Sequence, residues 1–205
     1  MPSRYYGALQ RNVAELERQF LSFGKRQDGA YTSGELYQCR AYIAFSHSEV
    51  EFYLESVALH IILSAEKSWQ TKGRVTNAIA AMIAYRASKE ISVPDDPITQ
   101  SPKKQFSTIL QNAIAAQKSA VSRNHGIGRK NLADLFIPIG MKSIEFDEPL
   151  LIQLDKLGQR RGDHVHQSSK VSLPKVRDPF DDERSDIQFL LTELQGFDAA
   201  ARKMR

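Results

Sequence analysis

Apolar residues recur three and four apart along almost the whole chain, and this spacing restricts the fold more than any other feature. Ile43, His47, Val50, Leu54, Val57 and Ile61 make one continuous stripe at this step, predicting a long helix over about 35–69 with His47 as the one polar member of its seam. Leu9, Val13, Leu16 and Phe20 predict an earlier amphipathic helix that ends near Gly24. No run alternates apolar and polar residues in the manner of a half-buried strand, and no internal repeat is present. The expected architecture is therefore an all-α bundle of about six to seven helices, in a single domain over 1–205.

The remaining helices follow from the same spacing and from capping residues. One is expected over about 74–89 and another over about 104–122, with Gly126 suited to a left-handed cap after "NHG". A short helix is expected in "KNLADLFIPIG", and Asp147 and Pro149 carry start signals for a helix through "LGQRRGDHVHQSS". Ile187, Leu190, Leu191, Leu194 and Phe197 mark the last helix. Two stretches, "SVPDDPITQSP" at 92–102 and "SLPKVRDPFDDERSD" at 172–186, are expected as loops, the first free either to vary in conformation or to carry a contact surface.

Composition narrows function mainly by exclusion. The formal net charge of the 205 residues is +4, which permits nucleic-acid binding without demanding it. No run of eighteen apolar residues exists, so no membrane partner is expected, and the N-terminus lacks the apolar core of a secretion signal. A lone cysteine, Cys39, rules out an internal disulfide and fits a reducing cytoplasm.

The densest ionisable chemistry lies at 157–169. Leu150, Leu154 and Leu157 form the apolar seam of that helix, and the next step lands on Arg161, which is thereby expected on the buried or interface side. Gly158 and Gly162, one turn apart, weaken the helix but admit a close backbone, a phosphate or a bend. Arg160 and His164 share a face of a straight helix, whereas Arg161 and His166 point about 140° apart, so geometry alone favours the first pair. Asp163, His164 and His166 offer metal ligands, yet no second cluster completes a site, and neither a metal nor a cofactor is expected.

Beyond these local arguments, the chain resembles the HEPN superfamily, the helical domains of many RNA-cleaving toxins and defence proteins. Arg161-Gly-Asp-His-Val-His166 fits its Arg-x4-6-His signature, and "RAYIAFSHSEVEFYLESVA" is similar to its long early helix. "NHGIGRKNLADLFIPIGM", followed by "FDEPLLIQLDKLGQRRGDHVHQSS", resembles the RiboL-PSP type of HEPN domain in order and spacing, so that the likeness covers roughly 35–170. The resemblance implies Arg161 and His166 as catalytic residues, with His164 between them, and a homodimer in which two such helices assemble a composite site. It also implies an RNA substrate, a toxin or antiviral defence role, and an antitoxin or defence-system partner protein. Gly162 departs from the pattern, because many active members carry a polar residue, often asparagine, after the arginine. The alternative is a non-catalytic RNA- or nucleotide-binding module of the same fold.

Metal-free RNA cleavage needs the 2′-hydroxyl deprotonated, the leaving 5′-oxygen protonated and the phosphorane charge stabilised. Histidine titrates in the right range, and arginine presents a permanently charged planar fork to phosphate oxygens. His47 and Glu51, four apart, can meet on one helix face, either as a hydrogen-bonded core histidine with its carboxylate or as supports that orient Arg161. Glu51 is the expected counter-ion of Arg161. Arg160, Asp163 and His164 complete the supporting set, while His125 reads as a helix C-terminal residue. Tyr5, Tyr6, Trp69, Tyr85 and Phe106 are either base-stacking or core aromatics.

Overall fold

The computed structural model describes residues 2–27, 29–86, 102–166 and 177–204; for 102–105 and 163–166 only the helical backbone is described. Seven α-helices are present among the described residues: α1 (Arg4–Phe20), α2 (Ser33–Lys72), α3 (Asn77–Arg86), α4 (Pro102–Ser122), α5 (Arg129–Phe136), α6 (Glu148–His166) and α7 (Ser185–Arg202). No strand occurs among the described residues, as the spacing predicts. The expected loop at 92–102 lies outside them, apart from the backbone of Pro102 at the start of α4.

Caps fix where the helices begin. Thr32 and Glu35 form a reciprocal pair: the Thr32 hydroxyl accepts the Glu35 N–H at 3.3 Å, and the Glu35 carboxylate accepts the Thr32 N–H at 2.7 Å. This capping box starts α2 a turn or less before the expected position. The α1 cap is Ser3, whose hydroxyl accepts the Tyr6 N–H at 3.1 Å.

The chain forms two compact units, each built from separated segments. The first comprises Met1–Tyr53, Gly126–Arg129 and Phe146–Ala199. Its core holds Leu9 and Val13 of α1, Ile43 and Val50 of α2, Leu150, Leu154 and Leu157 of α6, and Leu194 and Phe197 of α7, all buried. Burying several large apolar side chains at about 1.5–3 kcal/mol each supplies the main driving force. Its polar anchor is Asp198, buried in α7, which accepts hydrogen bonds from the Ser3 hydroxyl, the Ser3 N–H at 2.8 Å and the Tyr53 hydroxyl at 3.3 Å. Burial, reinforced by Asp198, pushes the Tyr53 phenol far above its ordinary range. It stays a neutral donor.

The second unit comprises Leu54–His125, Lys130–Glu145 and Ala200–Arg205. Ile61, Ile79, Met82, Leu110, Leu132 and Phe136 are buried in it. Gln117 of α4, fully buried, ties three helices together. Its carbonyl accepts from Arg86 of α3 at 2.7 and 3.0 Å, and its amide donates to the carbonyls of Asp134 and Leu135 in α5 at 3.3 and 3.2 Å. After α5 a short 3-10 turn, Ile137–Ile139, ends at Gly140, whose φ of +98° favours glycine.

The stretch at 172–186 departs from the expected loop in its described part. Asp178 caps a wide helical turn, Pro179–Arg184, by accepting the N–H groups of Phe180 and Asp181 at 2.8 and 2.7 Å. That turn leads directly into α7. Two prolines and a cluster of acids read as a break, whereas Pro179 occupies the first position of a helical turn, where a missing N–H costs nothing.

Candidate functional site

The site grows from α6 in the first unit. The short connection Gly126–Arg129 holds this helix in place. Its Gly126 N–H donates to the Glu51 carboxylate of α2. Its Arg129 N–H donates to Asp155 of α6 at 2.8 Å, while the Arg129 guanidinium takes Glu148 of α6 at 2.6 and 3.1 Å. Ile127 lies against Gly158, where an added Cβ would sit 3.9 Å from its side chain. Among the described residues Gly158 thus has ordinary van der Waals room and no close backbone beside it. Nothing among the described residues lies within 4 Å of a Cβ added at Gly162, so their packing does not account for glycine there.

The two neighbouring arginines have opposite environments, and of the two placements expected for Arg161 the buried one is corrected. Arg161 is exposed, and Arg160 is the largely buried one. Arg160 Nη1 lies 2.6 Å from Glu183 and 2.9 Å from Asp186; Arg177 closes the square, at 3.0 Å from Glu183 and 2.6 Å from Asp186. Glu183 is itself buried. Burial opposes ionisation of Asp186, but Arg177 and Arg160 outweigh it and hold the carboxyl below its usual range. Arg160 is thus committed to neutralising carboxylates from the wide turn and α7.

Arg161 stays out because the apolar stripe of α6 ends at Leu157 and because a buried guanidinium needs an anion. The expected anion, Glu51, is occupied elsewhere by the Gly126 N–H, and among the described residues Arg161 makes no ion pair. The counter-ion expectation is corrected accordingly. Arg161 lies near enough to His47, however, for its charge to act on that ring.

His47 is buried on the seam, as predicted, but not as a hydrogen-bonded core histidine through Nδ1. Its Nδ1 stands 4.0 Å from the Glu51 carboxylate, beyond hydrogen-bond reach, and is buried without a partner. Burial lowers the imidazole pKa; Glu51 works against this and Arg161 adds to it. A neutral ring results, flanked by a carboxylate and a cation.

Side chains of Asp163, His164 and His166 lie outside the described residues, although their backbone continues α6. The choice between the two arginine–histidine pairings rests, among the described atoms, on the arginines alone. His125 is exposed just beyond α4. Among the stacking candidates, Tyr6 is excluded: it is buried, edge-on to Tyr53, with its hydroxyl on the Leu191 carbonyl at 2.7 Å. Trp69 and Phe106 stack on each other edge-to-face at 5.4 Å. Arg4 lies 4.7 Å over the Tyr5 ring, and Tyr85 is exposed beside Arg86. Cys39 is buried and its thiol is pushed up to about 12, chiefly by burial and then by Glu183, which makes it a poor nucleophile. No group of three His, Cys, Asp or Glu side chains is placed to hold a metal among the described residues, and none of their helices is long and apolar enough to cross a membrane.

Sequence reasoning missed the acidic square and the Gly126–Arg129 clamp. A signal existed for the first, since "FDDERSD" offers acids to match "QRRGD", but nothing in the spacing says which arginine they take.

The described residues are thus all helical or in turns and loops, with Arg161 of α6 exposed, without an ion pair among them, and near the buried His47 of α2. The family is defined by direct comparison: the RiboL-PSP-HEPN family model matches residues 11–197, and the chain belongs to that family. No curated protein and no solved structure matches it.

Proposed function

We propose that the chain is a metal-independent endoribonuclease whose site pairs Arg161 with His166 across a homodimer, acting as a toxin or antiviral defence effector. The observation that carries this reading is the contrast between the arginines. Arg160 is locked into two carboxylates, while Arg161 lies exposed on α6 with no ion pair among the described residues, available to a phosphate. Family membership supports the same assignment. Phe45 and Phe52, one heptad apart and exposed on α2, are apolar surface of the kind that self-association covers.

In this reading His166 accepts the proton of the ribose 2′-hydroxyl, and the resulting oxyanion attacks the adjacent phosphorus. The bond to the 5′-oxygen breaks as a second histidine, from the other copy, protonates it. Arg161 holds the non-bridging oxygens and stabilises the charge that accumulates on the phosphorane. Products are a 2′,3′-cyclic phosphate and a 5′-hydroxyl. The neutral His47 ring keeps a second positive charge away from Arg161 and acts as a positioning residue.

The test is cleavage of a mixed-sequence RNA in excess EDTA by the parent protein and by Arg161→Ala, His166→Ala and His164→Ala variants. Cutting by the parent and by His164→Ala, but by neither of the others, with cyclic-phosphate ends, is the expected result. Loss in His164→Ala alone would shift the pairing to Arg160 and His164; RNA binding without cutting by the parent would replace the nuclease with a binding module.

A further inference from the structure

The four charges around Arg160 balance, and the balance bears on its neighbour. Glu183 takes Arg160 at 2.6 Å and Arg177 at 3.0 Å; Asp186 takes the same two arginines at 2.9 and 2.6 Å. Two cations thus meet two anions, with no charge left over. The Glu183 side chain is only 2% exposed and that of Arg160 only 15%, so water and salt screen this pair little. Arg177 is the most open of the four, at 44%. With Arg160 absent, two carboxylates would share that one arginine, and a buried negative charge would stand uncompensated.

Arg161 is the cation placed to answer that demand. It follows Arg160 directly, turned by about 100° on α6, and carries the same long guanidinium arm. Apolar packing does not hold it away. Leu157 is the last buried residue of α6 among those described, so past it the core does not pin the helix. Gly158 and Gly162 stand on either side and weaken the helix at this point. Glu51, the other carboxylate expected for Arg161, takes the Gly126 N–H instead. What keeps Arg161 outward is that the acids beside Arg160 are already satisfied.

We infer that Arg160 is a positioning residue for the site on α6: by completing the charge square it leaves Glu183 and Asp186 no need of a further cation, and so keeps Arg161 outward and without an ion pair. The inference rests on the reading of Arg161 as the group that holds phosphate. A balanced square also adds no net charge to oppose that role. An unbalanced one would set a negative charge beside Arg161 and weaken its hold on an anion, even with the side chain still outward. The first arginine satisfies the carboxylates of the fold, and the second stays available to a phosphate.

Two measurements on the full chain test this without RNA. The first is labelling with phenylglyoxal, which attacks accessible guanidinium groups, with the labelled positions located by mass spectrometry. In the parent, Arg161 should react and Arg160 should be protected. In Arg160→Met, Arg161 should react about tenfold more slowly, drawn to the uncompensated carboxylate. Adding Glu183→Gln to that variant should restore the parent rate, because Arg177 and Asp186 then balance. Arg160→Lys keeps the charge and the fold, and should leave Arg161 reactive. The second measurement is the urea midpoint. Arg161→Met should leave it at the parent value, yet lower it further in the Arg160→Met background, where Arg161 has become a partner of Glu183. Cleavage of RNA should fall about tenfold or more in Arg160→Met and recover with Glu183→Gln. Parent-like labelling of Arg161 in Arg160→Met, or strictly additive midpoints, would overturn the inference. Absence of cleavage by the parent, with labelling and midpoints as expected, would count against the nuclease reading and not against the role of Arg160.

Discussion

Replacing Arg160 by methionine should be expensive, whereas the same change one residue later should not. The methionine keeps an apolar stem against the surrounding packing and removes only the guanidinium. What it leaves is Glu183, whose side chain is 2% exposed, without its 2.6 Å partner. Removing one member of a buried pair costs about 3–5 kcal/mol, because the other charge stays buried. Arg177 continues to hold the second oxygen of Glu183 and reaches Asp186 as well, which places the expected loss near the lower end, about 3 kcal/mol. For a chain of this length that corresponds to a fall in Tm of roughly 6–12 °C. Arg161→Met removes an exposed side chain and should change stability by no more than about 0.5 kcal/mol. Urea denaturation followed by far-ultraviolet circular dichroism measures both. A loss under about 1 kcal/mol for Arg160→Met, or equal losses for the two variants, would refute the division of roles between these neighbours.

Three further outcomes follow from named contacts. The His47 pKa is depressed on folding, so the unfolded chain binds more protons there. The stability due to a neutral ring is then present above the ordinary value of 6.5 and declines as pH falls from 6.5 through the folded pKa. NMR titration of the ring should show the low pKa, and Arg161→Met should move it upward. Gly140→Ala should cost about 1–3 kcal/mol by chemical denaturation, since φ is +98° and the new methyl meets α3, whereas Gly162→Ala, with nothing among the described residues within 4 Å of the new methyl, should gain about 0.5–1 kcal/mol. Gln117→Leu should cost about 1–3 kcal/mol, because the Arg86 guanidinium loses its acceptor, and Arg86→Leu in that background should recover part of the loss.

The long stripe of α2 was legible because burial runs the length of one face: Ile43, His47, Val50, Leu54, Val57 and Ile61 are all buried, His47 included. On α6 the same reasoning holds through Leu157, and at Arg161 its buried option fails. Helical periodicity says which side a residue is on, not where the packing against that side stops. The partners that decide the matter are remote in sequence, with Glu183 meeting Arg160 from 23 positions on and Gly126 meeting Glu51 from 75 positions on. Spacing within one helix carries no information about either. Motif resemblance singled out Arg161 on other grounds, the Arg-x4-6-His spacing, whose histidine side chain lies outside the described residues.

The discontinuity of the first unit has a consequence for biosynthesis. Its segments begin at the N-terminus and close only at Ala199, and its anchor joins Ser3 to Asp198 across 195 positions. A ribosome emitting this chain from the N-terminus releases α1 and the start of α2 long before α7 exists to complete their core. Loop closure over such a span is also slow compared with local helix formation. Arg161 and its surroundings therefore assemble only once α7 has been made, and a chain cut short before α7 carries the motif without the scaffold that presents it.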